Sequence, residues 1–305
     1  MSEVYDLVII GSGPAGLAAA IYAERAKLKA VTIEKNVMSG GQVVNTYEVD
    51  NYPGLPGMNG FDLAMKFREH AQQLGAGFKE DTVQTILSED GLHQVVCENG
   101  TYEGKTVLIA TGATHRKLGA PGEEQFSGMG VSYCATCDGA FFRNKVTAVI
   151  GGGDVAVEDA IFLARLCKKV YLIHRRDELR AAKSLQEKLF AMENVEVLWD
   201  SVVEEIKGEN NVNSISVKNV KTKEQKDVSV DGVFVAVGIL PNSDEFKGVV
   251  ELDPQGYIKA GEEGITSVPG IFAAGDVRTK ALRQIVTAVS DGANAITSIE
   301  KYLNH

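Results

Sequence analysis

The sequence has 305 residues, of which 44% are hydrophobic and 24% are charged, a composition typical of folded globular proteins rather than of disordered or fibrous ones. Its length predicts about two domains. The formal net charge of -10 argues against non-specific binding to nucleic acid or to an anionic membrane. No apolar run approaches the roughly 18 residues that span a bilayer, and no signal peptide is visible. We therefore expect a cytoplasmic protein.

A strand, a glycine turn, a helix and a second strand open the chain. The strand patterns cover residues 5–10 and 30–34, and the helical pattern covers residues 17–26. The turn matches a dinucleotide-binding fingerprint, which consists of Gly11, Ser12, Gly13, Pro14, Ala15 and Gly16. In this motif the first glycine permits the turn, the second lets the backbone approach a pyrophosphate, and the third lets helix and strand pack closely. Free N–H groups at the start of the helix attract the phosphates.

An acidic residue, Glu34, ends the second strand of this unit. A carboxylate at this position accepts hydrogen bonds from a ribose diol, and its negative charge repels a 2′-phosphate. The first site is therefore predicted to hold FAD or NAD rather than NADP.

The same order of elements recurs in the middle of the chain. Strand patterns at residues 145–150 and 169–173 flank a glycine turn at residues 151–156 and a helical pattern at residues 157–166. In place of an acid, this unit has a basic cluster, which consists of His174, Arg175, Arg176 and, after a short interval, Arg180. Arginine binds phosphate bidentately and keeps its charge, so the cluster predicts recognition of a 2′-phosphate and a preference for NADPH over NADH. The alternative is a solvated basic face without a ligand.

The end of the chain has a strand pattern at residues 271–277 and a helical pattern at residues 283–302, but no glycine fingerprint of its own. We interpret this return as completion of the first domain, so that the second domain is an insertion. The predicted fold is α/β, with two Rossmann-like, three-layer ββα nucleotide-binding domains. The first comprises residues 1–114 and 245–305, and the second comprises residues 115–244.

Two cysteines with C-x-x-C spacing, Cys134 and Cys137, stand between the fingerprints, and Asp138 follows them directly. Zinc would require two further ligands, and the chain has no second C-x-x-C and only scattered histidines, so we predict no metal site. A redox pair explains the spacing, because cysteines in one helical turn can form a disulfide and a helix N-terminus favours the thiolate. Asp138 is predicted to exchange a proton with the thiols; the alternative is a carboxylate that only stabilises the turn.

The remaining cysteines, Cys97 and Cys167, lie in an alternating segment and in a helical segment, and both are predicted to be inert core thiols. Two predicted dinucleotide-binding turns and one reducible cysteine pair together indicate a path for electron transfer. They predict a flavoenzyme that passes reducing equivalents from a nicotinamide to a disulfide.

In their order and spacing, these motifs resemble the low-molecular-weight, bacterial-type thioredoxin reductases, and the resemblance extends over essentially the whole chain. No single motif is decisive, but together they are highly specific. The matching segments are residues 11–16, 40–42, 51–54, 110–112, 134–139, 151–156, 174–177, 275–277 and 283–284.

The resemblance implies a homodimer of two-domain subunits, with FAD in the domain formed by the two ends of the chain and NADPH in the inserted domain. It implies that Cys137 lies against the flavin, that Cys134 exchanges with thioredoxin and that Asp138 is the acid–base group. Beyond the first fingerprint and Glu34, the implied FAD contacts are Gly41, Gln42, Asn51, Ala110, Thr111, Gly112, Gly275, Asp276, Arg283 and Gln284. The implied NADPH contacts are Gly151, Gly153, Asp154, His174, Arg175, Arg176 and Arg180.

The predicted function is therefore thioredoxin-disulfide reduction, in which NADPH reduces FAD, FAD reduces the Cys134–Cys137 disulfide, and the cysteine pair reduces oxidised thioredoxin. One alternative is a reductase of another small protein disulfide, of the peroxiredoxin or glutaredoxin type. A second is a ferredoxin-driven homologue, which would be expected to lack the arginine cluster. A non-enzymatic, flavin-binding redox sensor is a third, and the intact nucleotide site and cysteine pair argue against it.

Overall fold

A computed structural model of the chain describes residues 3–46, 49, 51–89 and 91–304, without the side chain of Asn45. The chain divides into two compact units. The first comprises Met1–Thr114 and Leu240–His305, and the second comprises His115–Ile239.

The first segment of the first unit contains β1 (Val4–Ile10), α1 (Pro14–Arg25), β2 (Ala30–Glu34), α2 (Gly60–Gln73), β3 (Gly77–Glu80), β4 (Val83–Glu89), β5 (Leu92–Cys97), β6 (Thr101–Ile109) and β7 (Ala113–His115), which leads into the second unit. The second unit contains β8 (Val131–Ser132), α3 (Ala135–Asp138), β9 (Val146–Ile150), α4 (Asp154–Ala164), β10 (Lys169–Ile173), α5 (Lys183–Phe190), β11 (Val195–Leu198), β12 (Ser201–Gly208), β13 (Val212–Asn219), β14 (Gln225–Ser229) and β15 (Gly232–Val235). The chain leaves it through β16 (Ile239–Pro241) and ends with β17 (Ile271–Ala273) and α6 (Ile285–Leu303). Short 3₁₀ turns cover Gly41–Asn45, Gly139–Phe142, Asp244–Phe246 and Gly275–Val277.

A seven-stranded sheet forms the centre of the first unit, in the order β3-β2-β1-β6-β5-β4, and β17 also pairs with β6. The strands β3, β2, β1, β6 and β17 are parallel, whereas β5 pairs antiparallel with β6 and β4. Alternation along β1 divides the two faces, because Leu7 and Ile9 pack with α1 and α6, while Val8 and Ile10 pack with β4 and β5. The residues that follow the parallel strands therefore meet at one edge of the sheet.

The second unit has a parallel sheet in the order β11-β10-β9-β15-β8 and an antiparallel sheet in the order β12-β13-β14. Val149 of β9 faces a cluster that includes residues of α4 and α5, whereas Ala148 and Ile150 face the antiparallel sheet. Helices, parallel sheet and antiparallel sheet thus form three layers. The predicted α/β fold with two Rossmann-like domains is confirmed.

Residues 240–244 belong to the first unit, although the sequence analysis assigned them to the second domain. Asn242 explains the difference, because its side-chain amide donates to the Thr111 carbonyl at 2.8 Å and its backbone N–H donates to the Gly112 carbonyl at 3.0 Å. Ser243 is also anchored there, since its hydroxyl donates to the Gly256 carbonyl at 2.5 Å. These contacts link residues far apart in the sequence, and the local pattern around Asn242 contained no sign of them.

The helix α6 packs closely on α1, because a Cβ atom at Gly292 would lie only 2.1 Å from the carbonyl oxygen of Ala15. Small residues on both helices, among them Ala19 and Ala295, fill the contact. Within the described ranges, no helix is both long enough and apolar enough to cross a membrane.

A buried ion cluster ties the start of α6 to the loop after β17. Both carboxylate oxygens of Asp291 accept from the guanidinium of Arg278, at 2.8 and 2.6 Å, and the Lys280 ammonium lies 2.9 Å from Oδ2. The backbone N–H of Gly275 donates to the same Oδ2 at 2.9 Å. One carboxylate therefore compensates two buried cations and fixes the loop that carries Gly275.

We expect Asp291→Asn to lower the free energy of unfolding by about 3 kcal/mol, because removing one partner of a buried ion pair leaves uncompensated charge. Urea unfolding measures the change. The matched control is Asp244→Asn, which breaks an exposed pair with Lys247 and should change stability by less than about 1 kcal/mol. Equal losses in the two variants would contradict the assigned role of Asp291.

Candidate active site

The first glycine turn packs too closely for side chains at two positions. Gly11 has a φ of 99°, and a Cβ atom there would lie 2.6 Å from the carbonyl oxygen of Ala110. A Cβ atom at Gly16 would lie 1.9 Å from the carbonyl oxygen of Gly11. A Cβ atom at Gly13 would meet no atom of the chain within 4 Å. The turn is therefore closed on its inner side and open at Gly13, where α1 begins with Pro14 in its first turn.

Glu34, at the end of β2, lies against this turn. Its Oε2 accepts from the backbone N–H and the hydroxyl of Ser12, both at 2.8 Å. Its Oε1 accepts from the backbone N–H and the side-chain amide of Asn36, at 3.0 and 3.1 Å. Glu34, which the sequence analysis predicts to bind a ribose, thus also fixes the position of Ser12.

A second segment reaches the turn from residues 39–42. The N–H of Gly40 donates to the Ser12 carbonyl at 2.8 Å, and a Cβ atom at Gly41 would lie 3.5 Å from the Cα atom of Gly13. Gln42 follows directly and is exposed. The structure thus brings Gly41 and Gln42 beside the fingerprint.

Arg68 of α2 supports this loop, a role that the sequence analysis did not detect. Its guanidinium donates to the hydroxyl of the buried Ser39 at 2.7 Å and stacks on the ring of Phe78, with Cζ 3.2 Å from the centroid. The contact joins residues from three segments, so no local motif indicates it.

The segments after β6 and β17 complete the same edge of the sheet. Ala110 lies against Gly11, and the Thr111 hydroxyl donates to the Asn242 carbonyl at 2.5 Å. Gly275 has a φ of 80°, and a Cβ atom there would lie 2.9 Å from the Cβ atom of Ala15.

Asp276 retains a buried oxygen, Oδ1, that has no hydrogen-bond partner among the described residues. Burial raises the pKa of this carboxyl, and the nearby Lys280 and Arg283 oppose the shift. A buried acceptor without a partner is rare in folded proteins. A ligand that brings a hydroxyl group would fit it.

Arg283 and Gln284, at the start of α6, lie near the same loop. The Arg283 guanidinium covers the ring of Tyr257, with Cζ 4.0 Å from the centroid. Gln284 caps α6 in a reciprocal capping box with Thr287, and its side-chain oxygen accepts from the Asn51 amide at 2.8 Å. The structure thus joins Asn51 and Gln284, two predicted cofactor contacts from opposite ends of the chain.

The second glycine turn repeats the geometry of the first. A Cβ atom at Gly151 would lie 2.4 Å from the carbonyl oxygen of Ala236, whereas one at Gly153 would meet nothing within 4 Å. Asp154, the first residue of α4, accepts from the N–H of Ala182 through Oδ1 at 2.7 Å. The open side again lies at the start of a helix.

His174 is buried beside this turn, and a Cβ atom at Gly152 would lie 2.2 Å from its ring. Burial lowers the pKa of His174, so the imidazole is neutral near pH 7, and its Nε2 has no partner within the described ranges. The N–H of Arg180 donates to the Gly152 carbonyl at 2.7 Å, which places residue 180 at the turn.

The side chains of Arg175, Arg176 and Arg180 are exposed, and none forms an ion pair with a carboxylate that the structure describes. The acid next to them, Asp177, pairs instead with Lys221 at 2.7 Å. Three exposed arginines without a carboxylate partner among the described residues therefore follow β10 within seven residues.

Lys221 lies in the loop between β13 and β14, and its ammonium also lies 3.0 Å from Asp200. It thus pairs with two acidic residues of this neighbourhood, Asp177 and Asp200, and the sequence analysis did not single it out. Its pairing with Asp177 depends on tertiary structure rather than on spacing along the chain.

The cysteine pair forms a disulfide between Cys134 and Cys137. Cys134 is the N-cap residue of the single helical turn α3, and its Sγ accepts from the N–H of Cys137 at 3.2 Å. Both cysteines are half-buried. The predicted helical turn and the bridge across it are confirmed.

Asp138 ends α3, and its N–H donates to the Cys134 carbonyl at 3.1 Å. Its Oδ2 accepts from the hydroxyl of the buried Ser132 at 2.6 Å, and its Oδ1 is buried without a partner in the described part of the chain. Burial raises the pKa of Asp138, and the bond from Ser132 opposes the shift. The raised pKa lets this carboxyl keep its proton to higher pH than an exposed aspartate does.

The other two cysteines, Cys97 and Cys167, are buried free thiols, as predicted. Burial raises the pKa of Cys97 to about 12 and also raises the pKa of Cys167, so neither is a thiolate near neutral pH. Among the described side chains, no group of three or more His, Cys, Asp or Glu could hold a metal ion.

Residues 5–292 match the family described as pyridine nucleotide-disulphide oxidoreductase. The chain belongs to this family. The family resemblance drawn from the sequence motifs is thereby confirmed.

Similar proteins within the family are named thioredoxin reductases. The one from Peptoclostridium acidaminophilum is 47% identical over 310 residues, which cover 99% of this chain and 98% of that protein. The one from Listeria innocua is 47% identical over 302 residues, which cover 99% of this chain and 94% of that protein. The chain also resembles the crystal structure of thioredoxin reductase from Streptococcus pyogenes, with a TM-score of 0.93 and 47% sequence identity. The alignment covers 100% of this chain and 99% of that one.

We expect Gly16→Ala to destabilise the cofactor-free protein by about 2 kcal/mol, because the new methyl group would overlap the Gly11 carbonyl. The matched control is Gly13→Ala, whose methyl group meets open space and should change stability by less than about 1 kcal/mol. Thermal unfolding of both variants measures the difference. A stable Gly16→Ala variant would show that α1 can move away from the turn.

Proposed function

We propose that this protein is an NADPH-dependent, FAD-containing oxidoreductase that reduces the disulfide of thioredoxin. The observation that carries the proposal is the disulfide-linked pair Cys134–Cys137, with the carboxyl of Asp138, whose pKa burial raises, directly behind it. Full-length relatives named thioredoxin reductases support the same activity.

The first unit supplies the proposed FAD site. The open side of Gly13, the N–H groups at the start of α1 and the unpartnered Oδ1 of Asp276 fit a ligand with a pyrophosphate and hydroxyl groups. We assign to the same site the further residues Ser12, Glu34, Gly41, Gln42, Asn51, Thr111, Arg283 and Gln284. When bound, FAD supplies an acceptor for the hydride of a nicotinamide and a two-electron donor for a disulfide.

The second unit supplies the proposed NADPH site. The open side of Gly153 and the start of α4 fit a pyrophosphate, and the free Nε2 of His174 fits a polar group of the nucleotide. We assign the 2′-phosphate to Arg175, Arg176 and Arg180, because three exposed guanidinium groups without carboxylate partners favour a dianion.

The reduced cysteine pair carries out the exchange with thioredoxin. The Cys134 thiolate attacks one sulfur of the thioredoxin disulfide, whose bond breaks and leaves a thiolate on the other sulfur. The Cys137 thiolate then attacks Cys134, which reforms the Cys134–Cys137 disulfide and releases reduced thioredoxin. We assign to Asp138 the transfer of protons between the attacking and leaving sulfurs.

We also propose, from the resemblance to thioredoxin reductases, that the chain acts as a homodimer in the cytoplasm. The unpaired arginine trio disfavours the ferredoxin-driven alternative, because such an enzyme has no use for a 2′-phosphate site.

The purified protein should oxidise NADPH rapidly under anaerobic conditions when oxidised thioredoxin is present, and much more slowly with NADH. Cys134→Ser should abolish the thioredoxin-dependent rate, whereas the matched control Cys97→Ala should retain most of it, because Cys97 is a buried, inert thiol. Absorbance at 340 nm measures the rate. If NADPH reduces the flavin but thioredoxin does not reoxidise the protein, the partner is wrong.

Replacing both Arg175 and Arg176 with Ala should raise the KM for NADPH at least tenfold, because each lost charge-assisted hydrogen bond costs roughly 1.5–3 kcal/mol. The KM for NADH should stay nearly constant. The matched control is Arg165→Ala, which removes an exposed arginine at the far end of α4 and should affect neither nucleotide. Equal losses for NADPH and NADH would overturn the phosphate assignment.

A further inference from the structure

One buried hydroxyl connects the proposed proton carrier to the backbone of the redox turn. Ser132, the last residue of β8, is only 6% exposed. Its Oγ donates to Oδ2 of Asp138 at 2.6 Å and accepts from the backbone N–H of Cys134 at 3.1 Å. The Cys134 carbonyl oxygen lies 3.4 Å from the same Oγ. A single side chain thus contacts both ends of α3.

These contacts suit either charge state of Asp138. A serine hydroxyl has one proton to donate and two lone pairs that accept. When Asp138 is ionised, Ser132 donates to it and accepts from the Cys134 N–H. When Asp138 is protonated, the acid donates to Ser132, whose own proton turns to the Cys134 carbonyl. The carboxyl can therefore gain or lose a proton without moving.

The rest of the surroundings offers Asp138 no comparable contact. On the side of α4, a Cβ atom at Gly139 would touch the side chains of Phe162 and Leu163, at 2.9 and 3.0 Å, so that side of the redox turn is apolar. Oδ1 of Asp138 has no partner among the described residues. Ser132 is the one side chain that the structure describes as hydrogen-bonded to this carboxyl.

No neighbouring charge replaces the hydroxyl either. The titratable groups on elements packed against the turn are Asp154, Glu158 and Asp159 of α4, Arg143 after the 3₁₀ turn, and Tyr133 after β8. Burial and the nearby Glu158 raise the pKa of Asp159. The Tyr133 hydroxyl donates to Glu123 at 2.8 Å. The influences on Asp138 are burial and the Ser132 bond alone.

We propose that Ser132 is a positioning residue of the redox centre, which holds the Asp138 carboxyl on the cysteine turn in both of its charge states. The inference rests on the proposed function in one respect, namely that Asp138 carries the proton of thiol–disulfide exchange. It adds a residue that the C-x-x-C motif does not include and that acts through Asp138 rather than on the sulfurs.

Reduction of the protein's own disulfide by dithiothreitol tests the inference without NADPH or thioredoxin. A dithiothreitol thiolate attacks one cysteine sulfur, the S–S bond breaks, and its electron pair goes to the other sulfur, which takes a proton from Asp138. The second dithiothreitol thiol then displaces the first cysteine and leaves as the cyclic disulfide. Acid quenching and thiol titration of the holoenzyme measure the rate, which is corrected for the fraction of reagent thiolate at each pH.

The corrected rate should be constant at low pH, where Asp138 is protonated, and should fall above its pKa. In Ser132→Ala the low-pH rate should drop about tenfold, because the acid loses its orientation. The break should move up by about one pH unit, because the charge-assisted bond to the ionised carboxylate is stronger than the bond to the protonated acid, so that losing both disfavours the ionised form. Ser132→Thr keeps the hydroxyl and should restore both values.

A double-mutant cycle separates positioning from a general effect on folding. Asp138→Asn should remove the break, and adding Ser132→Ala to it should change nothing further. Ser216→Ala is the matched control, since it removes another buried hydroxyl of the same unit, one bonded to Gln225, and should leave the profile unchanged. Thermal unfolding checks that each variant is folded.

An unchanged profile in Ser132→Ala, or a further loss when it is added to Asp138→Asn, would overturn the inference. A failure of the wild-type protein to reduce thioredoxin would instead overturn the proposed partner and leave the dithiothreitol profiles intact. The two failures are therefore distinguishable.

Discussion

Contact between bare backbones at the first glycine turn is the constraint on which the first unit depends. Gly16 lies so close to the Gly11 carbonyl, and Gly11 so close to the Ala110 carbonyl, that neither position has room for a side chain. Gly41 and Gly275 approach the same turn from two other segments. These segments meet at one edge of the parallel sheet. At Gly13 the turn is open, since a Cβ atom there would meet no described atom within 4 Å.

Each of the three predicted centres also keeps a buried polar atom without a partner in the described chain. These atoms are Oδ1 of Asp276 in the first unit, and Nε2 of His174 and Oδ1 of Asp138 in the second. Folding normally pairs such atoms, because an unpaired one costs about 1–3 kcal/mol. A fourth such atom, Oγ1 of Thr147 in β9, lies at none of the predicted sites. The other three coincide with residues that the sequence motifs singled out, which is consistent with the proposed sites.

Local motifs were sufficient to predict both glycine turns, the α/β fold class and the cysteine pair, because turn geometry and C-x-x-C spacing are properties of neighbouring residues. Contacts set by tertiary structure were not predictable in this way. Lys221 is 44 residues from Asp177, and Arg68 is 29 residues from Ser39. Asn242 likewise donates to the Thr111 carbonyl across the whole insertion, a contact that no local pattern indicates.

The insertion also affects how the chain matures. The strand β17 pairs with β6, and Gly275 contacts Ala15, although the entire second unit separates them along the chain. During synthesis, β6 lacks its neighbour β17 until residues 271–273 have left the ribosome. Closing that long loop loses less entropy once the inserted unit has folded compactly. The second unit can therefore fold before the sheet of the first unit is complete.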